Sequence, residues 1–308
     1  MTAYMSIDVP VRGGLLRTGV WGPDDPGAPT VLAIHGVTAS HRTWGMVAGA
    51  LPEFRFIAPD LRGRGRSNTL PGPYGMPVHA EDLAAVLDAL KVPRAVVAGH
   101  SMGAFAALVL ANLHPGLVQS LVLIDGGLPL DVPAGLSDEQ VVQAVLGSAA
   151  ERLGQPFASH EEYLDFWRPH PAFAGHWNPL LLDYLAYDLQ PHPDGGFRAA
   201  TSYAALAEDT AELHRGAALL RALEELAHPV QLLRAPRGLF NEEPGLYAPG
   251  YVQQWQQRLP SLVVTDVPDT NHYTIVMDEP GAGSVAGVLR EHSRFPAGAE
   301  PGVPDGVA

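Results

Sequence analysis

Short runs of consecutive apolar residues alternate with stretches of helical periodicity over the first 127 positions. "TVLAIHG" (30–36), "FRFIAPD" (54–60), "RAVVAG" (94–99) and "SLVLID" (120–125) have strand length and are apolar almost throughout. Helical patterns intervene near 41–50, 78–90 and 102–114. Strands apolar on both faces, separated by helices, predict a parallel sheet covered on both sides. "LLRTGVW" (15–21) alternates less cleanly and predicts an antiparallel edge hairpin with residues 5–9.

From about 128 to 227 the strand signal vanishes. Amphipathic helices broken by Pro and Gly take its place, as in "EEYLDFWRPHPAFAGHWNPLLLDYLAYDL" (161–189), the densest aromatic region of the chain. The strand rhythm then resumes with "PVQLLRA" (229–235) and "LVVTDV" (262–267). This order predicts one α/β core, residues 1–127 and 228–294, interrupted by a helical cap at 128–227. The final stretch 295–308, "FPAGAEPGVPDGVA", has the composition of a disordered tail. No internal repeat is evident.

Composition narrows the function classes. The chain has 308 residues with 46% hydrophobic and 17% charged content, enough for a sizeable core. Its net charge of −14 makes nucleic acid and anionic membrane surfaces poor partners and leaves a small-molecule substrate as the expected one. Lys91 is the sole lysine, which with the abundant Ala, Gly and Pro suggests a GC-rich bacterial coding bias. The absence of cysteine excludes disulfides, zinc–thiolate sites and thiol catalysis. The N-terminus lacks a basic segment followed by an apolar one, and the longest nearly apolar segment, Ala104 to Leu113, is too short to span a bilayer. A cytoplasmic location is expected.

The chemistry centres on "VVAGHSMGAF" (96–105). Ser101 sits in G-x-S-x-G, between a buried strand and a helical pattern. In that context the glycines allow a strained strand-to-helix turn that lifts the hydroxyl above the sheet. The N–H of Met102, at the start of the helix, then faces the space where an oxyanion would form.

With these residues in view, the chain resembles the α/β-hydrolase family with an inserted helical cap, over residues 14 to 292. "HGVTAS" (35–40) resembles the loop that carries the family's second oxyanion donor, here the N–H of Val37. "PDLRGRGRS" (59–67) resembles the loop shaping the core beneath the nucleophile, and "VPDTNHYTIV" (267–276) the loop that delivers the catalytic histidine. The resemblance implies a mostly parallel eight-stranded sheet and serine chemistry without a cofactor.

His272 is also singled out by its position. A general base needs a pKa near neutrality and access to the serine. His272 sits in a loop at the carboxyl end of a strand, where open α/β sheets bind ligands. His35 belongs to the oxyanion loop, and His100 is expected to point away from the elbow. His41, His79 and His114 fall on or beside helices, and His228 precedes a strand. His160, His170, His176, His192 and His214 read as solvated or capping residues of the cap, without the spacing of a metal site. No metal is expected.

The acid departs from the family pattern. Most relatives carry an Asp at the position held here by Gly238, in "LLRAPRGLFNEEPGLY". Asp125, at the end of "LVLID", is the first candidate, since some members place the acid at that strand. Glu242 and Glu243 are the second, and Asn241 cannot carry the charge. Ser101, His272 and Asp125 with the Val37 and Met102 amides predict a serine hydrolase of a small, largely apolar carboxylic ester or lactone. Trp167, Phe166 and Trp177 are candidate pocket walls. C–C bond hydrolysis of ring-cleavage diketones and cofactor-free perhydrolysis use the same machinery and remain open. So does a ligand receptor or scaffold with a vestigial triad.

Overall fold

The first two strands, β1 (Tyr4–Val11) and β2 (Gly14–Trp21), form the expected antiparallel hairpin, with Tyr4 opposite Trp21. The computed structural model describes residues 3–131 and 152–295, together with positions 135, 140 and 147. The tail predicted at 295–308 lies outside the described residues from 296 onward, as does part of the predicted cap.

After the hairpin come β3 (Thr30–Ile34), α1 (Gly45–Gly49), β4 (Arg55–Pro59), α2 (Met76–Ala89), β5 (Ala95–His100), α3 (Met102–Leu113) and β6 (Val118–Ile124). The inserted segment holds α4 (His160–Trp167), α5 (Pro179–Asp188), β7 (Leu189–Pro191), β8 (Phe197–Ala199), α6 (Tyr203–Arg215) and α7 (Ala217–Glu224). The core then resumes with β9 (Val230–Arg234), α8 (Pro249–Arg258), β10 (Leu262–Asp266), α9 (Thr274–Met277) and α10 (Glu279–His292).

Eight strands make one sheet in the order β1-β2-β4-β3-β5-β6-β9-β10, parallel from β4 onward. β6 pairs directly with β9, Leu121 opposite Val230, so the whole insertion leaves and re-enters between neighbouring strands. The pleat sends alternate residues to opposite layers. Leu32 and Ile34 join the core beneath α2 and α3, whereas Val31 and Ala33 join the one beneath α1 and α10. That division explains why β3 reads as an unbroken apolar run.

Local signals set the helix starts in the insertion. The Ser159 hydroxyl accepts from the Glu162 amide at 3.1 Å, and Asn178 accepts from Leu180 and Leu181 ahead of Pro179. One difference from expectation is the β7–β8 ribbon, in a segment read as helical only. The turn "PHPDGG" places Gly195 and Gly196 at φ of +97° and +67°, which closes the hairpin. Its strands are too short to show a period of two.

Candidate active site

The sheet ends at a sharp elbow. Ser101 joins β5 to α3 at φ 54° and ψ −125°, a conformation costly for any residue with a side chain. Its amide donates to the Ile124 carbonyl at 2.9 Å, which ties the elbow to β6. The flanking glycines are required by contact. A Cβ at Gly99 would stand 2.3 Å from the Gly103 carbonyl oxygen, and one at Gly103 would stand 2.1 Å from that of Ile34.

Asp125 follows β6 and is fully buried, at φ 44°. Its Oδ1 accepts from the Ala235 amide at 3.2 Å, and its Oδ2 lies 2.6 Å from Nδ1 of His272. The carboxylate fixes Nδ1 as the donor, which leaves Nε2 of His272 as a lone-pair nitrogen. The next residue must be small, because a Cβ at Gly126 would meet the Ser101 carbonyl oxygen at 2.2 Å.

Neither glutamate takes that place. Glu242 turns back into its own loop, where its Oε2 accepts from the Phe240 amide at 2.7 Å and its carboxylate fills the space a Gly238 side chain would need. Glu243 pairs with exposed Arg237 at 3.3 Å.

The histidine loop is stapled from several sides. Thr270 donates to the Val267 carbonyl, the Asn271 amide donates to Thr274 Oγ1, and the Asn271 side chain donates to the Ala172 carbonyl. The carbonyl of His272 accepts from Nε2 of His100 at 2.7 Å. His100 therefore does not point away from the site. Its ring packs 4.8 Å from that of His272, between β5 and the histidine loop. Burial, reinforced by His272, pushes its pKa well below the usual value and keeps it neutral. His35 is neutral for the same reason, with a pKa lowered to about 4 by burial. It holds the loop by donating to the Gly36 carbonyl and accepting from the Leu61 amide.

Two cavities meet at Ser101 and His272. The larger encloses about 410 Å³ of empty space, part of it open to solvent, between Thr38, Thr43, Tyr184, Tyr273 and Met277. The smaller, about 310 Å³, runs between Phe105, Leu130, Leu213 and Leu246. Val37 and Met102 both line the smaller one beside Ser101. The three aromatic residues expected as pocket walls are not among the residues lining either cavity. Trp167 is 2% exposed and packs its ring against Phe166, His170 and Phe173, at centroid distances between 5.3 and 5.6 Å. Trp177 is half-buried against the same layer. An aromatic cluster is a good core for a small layer of short helices, and here it serves as one. The walls instead come from Tyr184, Leu213 and other positions without distinguishing local sequence.

Among the described residues no group of His, Asp and Glu could hold a metal ion, and no helix is long and apolar enough to cross a membrane.

A family model described as alpha/beta hydrolase fold matches residues 29–161. The putative carbamate hydrolase RutD of Serratia proteamaculans is 35% identical over 191 residues, covering 56% of this chain and 71% of that protein. The chain belongs to the α/β-hydrolase fold family. This α/β-hydrolase is also similar to lipase LipV of Mycobacterium tuberculosis, with 41% identity over 128 residues. That match covers 42% of the chain and 47% of LipV, so the chain spans about half of that relative's length. The crystal structure of E-2-(acetamidomethylene)succinate hydrolase shares the fold, with a TM-score of 0.72 and 24% identity over 95% of this chain and 99% of that one.

Proposed function

We propose that this α/β-hydrolase cleaves small, largely apolar carboxylic esters or lactones through an acyl-enzyme intermediate. The observation that carries the reading is the 2.6 Å contact of Asp125 with His272, in a site that His272 shares with the strained Ser101. In this mechanism Ser101 Oγ attacks the carbonyl carbon while Nε2 of His272 takes its proton. Asp125 stabilises the imidazolium through Nδ1–H. The amides of Val37 and Met102 receive the oxyanion, each such donor contributing on the order of 10²–10³ in rate. The imidazolium then protonates the departing alkoxide, and His272 activates water to release the acid.

The cavities suggest how the substrate lies. The acyl group stays bonded to Ser101, and the smaller cavity is walled by the helix that starts beside it, through Met102 and Phe105. Its leucine walls, Leu130, Leu213, Leu239 and Leu246, suit a short apolar acyl chain. The leaving oxygen must stay near His272, and the larger cavity is walled by the histidine loop at Tyr273 and Met277. The similarity to lipase LipV favours an ester bond for this chain too.

A panel of aryl esters and lactones graded by acyl length, with Ser101→Ala as control, tests the reading. Turnover that peaks at short acyl chains and disappears in the variant is expected. Turnover surviving in Ser101→Ala, or none with any ester or lactone, would overturn it.

A further inference from the structure

Two consecutive carbonyls of the oxyanion loop are each held by a buried arginine, and each arginine is paired with an aspartate of the inserted segment. Arg64 Nε donates to the Val37 carbonyl at 2.9 Å. The same guanidinium donates to the Arg62 carbonyl at 3.0 Å and to the Ala205 carbonyl at 3.4 Å, and reaches Met102 Sδ at 3.7 Å. Its ion pair is with Asp209 on α6. Arg152 Nη2 donates to the Thr38 carbonyl at 3.0 Å and lies 3.3 Å from Asp188, the last residue of α5.

All four charged groups are buried, none more than 2% exposed. A guanidinium in that setting is tolerable only with its counter-ion, because burying an unpaired charge forfeits its hydration with nothing to replace it. Asp209 is further fixed by the Gly75 amide at 2.6 Å and by His79 Nε2 at 2.9 Å. Burial opposes its ionisation, but Arg64 and His79 outweigh that and hold its carboxyl far below the usual range. Asp188 also accepts from the Tyr163 hydroxyl. The arginines therefore stand where the inserted segment puts them, and the loop carbonyls stand where the arginines put them.

Resting on the serine-hydrolase reading above, we infer that Asp209 and Asp188 are positioning residues for the oxyanion hole. Seating α5 and α6 on the core sets Val37 and Thr38 through Arg64 and Arg152. Without these pairs the loop at 36–39, held otherwise by its Ala39-to-Gly36 turn bond and the His35 contact, loses two of its anchors. A misplaced Val37 amide weakens transition-state binding and leaves ground-state binding nearly unchanged, since the oxyanion exists only in the transition state.

The test uses Asp209→Asn and Asp188→Asn in the full chain, well below the melting temperature. Three readouts are needed: kcat and KM on a p-nitrophenyl ester, the rate of labelling by a fluorophosphonate, and circular dichroism. The expected result is a folded protein with kcat lowered at least about tenfold, KM within about twofold, and labelling slowed in parallel. Folded variants with wild-type kcat and labelling, or with only KM raised, would overturn the inference. If Asp209→Asn does not fold, the paired replacement Arg64→Met with Asp209→Leu removes both charges together and is judged by the same criteria. Failure of the wild-type protein to be labelled at Ser101 would instead overturn the serine-hydrolase reading, and so is a distinguishable result.

Discussion

Asp125 and His272 lie 147 positions apart in the chain, and their side chains meet at 2.6 Å in a fully buried contact. The contact spans the inserted segment and two strands of the sheet. Asp125→Asn is expected to lower turnover at least about 10²-fold, because an amide cannot hold the imidazole tautomer or stabilise its cation. Glu242→Gln and Glu243→Gln should each cost less than about tenfold. Steady-state kinetics of the three variants provide the comparison, and the reverse ranking would move the acid to the loop after β9.

Ser101→Ala should reduce hydrolysis of p-nitrophenyl esters by on the order of 10⁵–10⁶ while leaving the far-UV circular dichroism unchanged. Alanine at φ 54° carries the same backbone strain as serine, so stability should change little. A variant keeping a tenth of the activity would take Ser101 out of the chemistry.

Leu213 on α6 lines the smaller cavity, so Leu213→Trp should fill it. The ratio of kcat/KM for hexanoyl over acetyl esters is expected to fall about tenfold or more, since each methylene in such a pocket is worth about 1–3 kcal/mol. Trp167→Ala makes the contrasting case. Its ring belongs to the aromatic layer, so the acyl-length ratio should hold while stability drops by about 3–5 kcal/mol, read from chemical denaturation.

Stability should also fall as the pH drops from about 6.5 towards 4. Burial lowers the pKa of His35 and of His292 to about 4, and holds that of His100 well below its usual value. In that window the unfolded chain binds protons that the folded one refuses, so the unfolding free energy rises with pH. Each such proton contributes up to about 1.4 kcal/mol per pH unit. Urea titrations at several pH values give the slope, and a flat profile from 6.5 to 5 would show that these histidines titrate freely.

The parts of the molecule that announce themselves in sequence are those where backbone geometry restricts residue choice. Gly99 and Gly103 flank Ser101 because nothing larger fits against the neighbouring backbone, and the apolar runs of β3, β5 and β6 reflect burial on both faces. The family, the eight-stranded sheet and the neighbourhood of His272 are legible for that reason. The cavity walls are not, because Tyr184 and Leu213 look like any residue on an amphipathic helix. Aromatic density pointed to Trp167 as a wall, yet clustering rewards ring-on-ring packing as readily as ligand contact. His100 was misplaced because the turn's strain tells nothing about the side chain before the serine. Arg64 and Arg152 were silent for a further reason: their partners, Asp209 and Asp188, are distant in sequence and follow no spacing rule.

The pairing of β6 with β9 has a consequence for how the molecule comes into being. A growing chain that has emerged as far as β6 already carries Ser101 and the loop at 36–39, but β6 shows a bare hydrogen-bonding edge. That edge waits for Val230 to Arg234, synthesised roughly a hundred residues later, and His272 comes later still. At about 5–20 residues per second the wait lasts several seconds, during which the exposed edge invites mispairing. His272 therefore arrives late, on a ribosome-bound chain whose sheet edge has stood open for about a third of its synthesis.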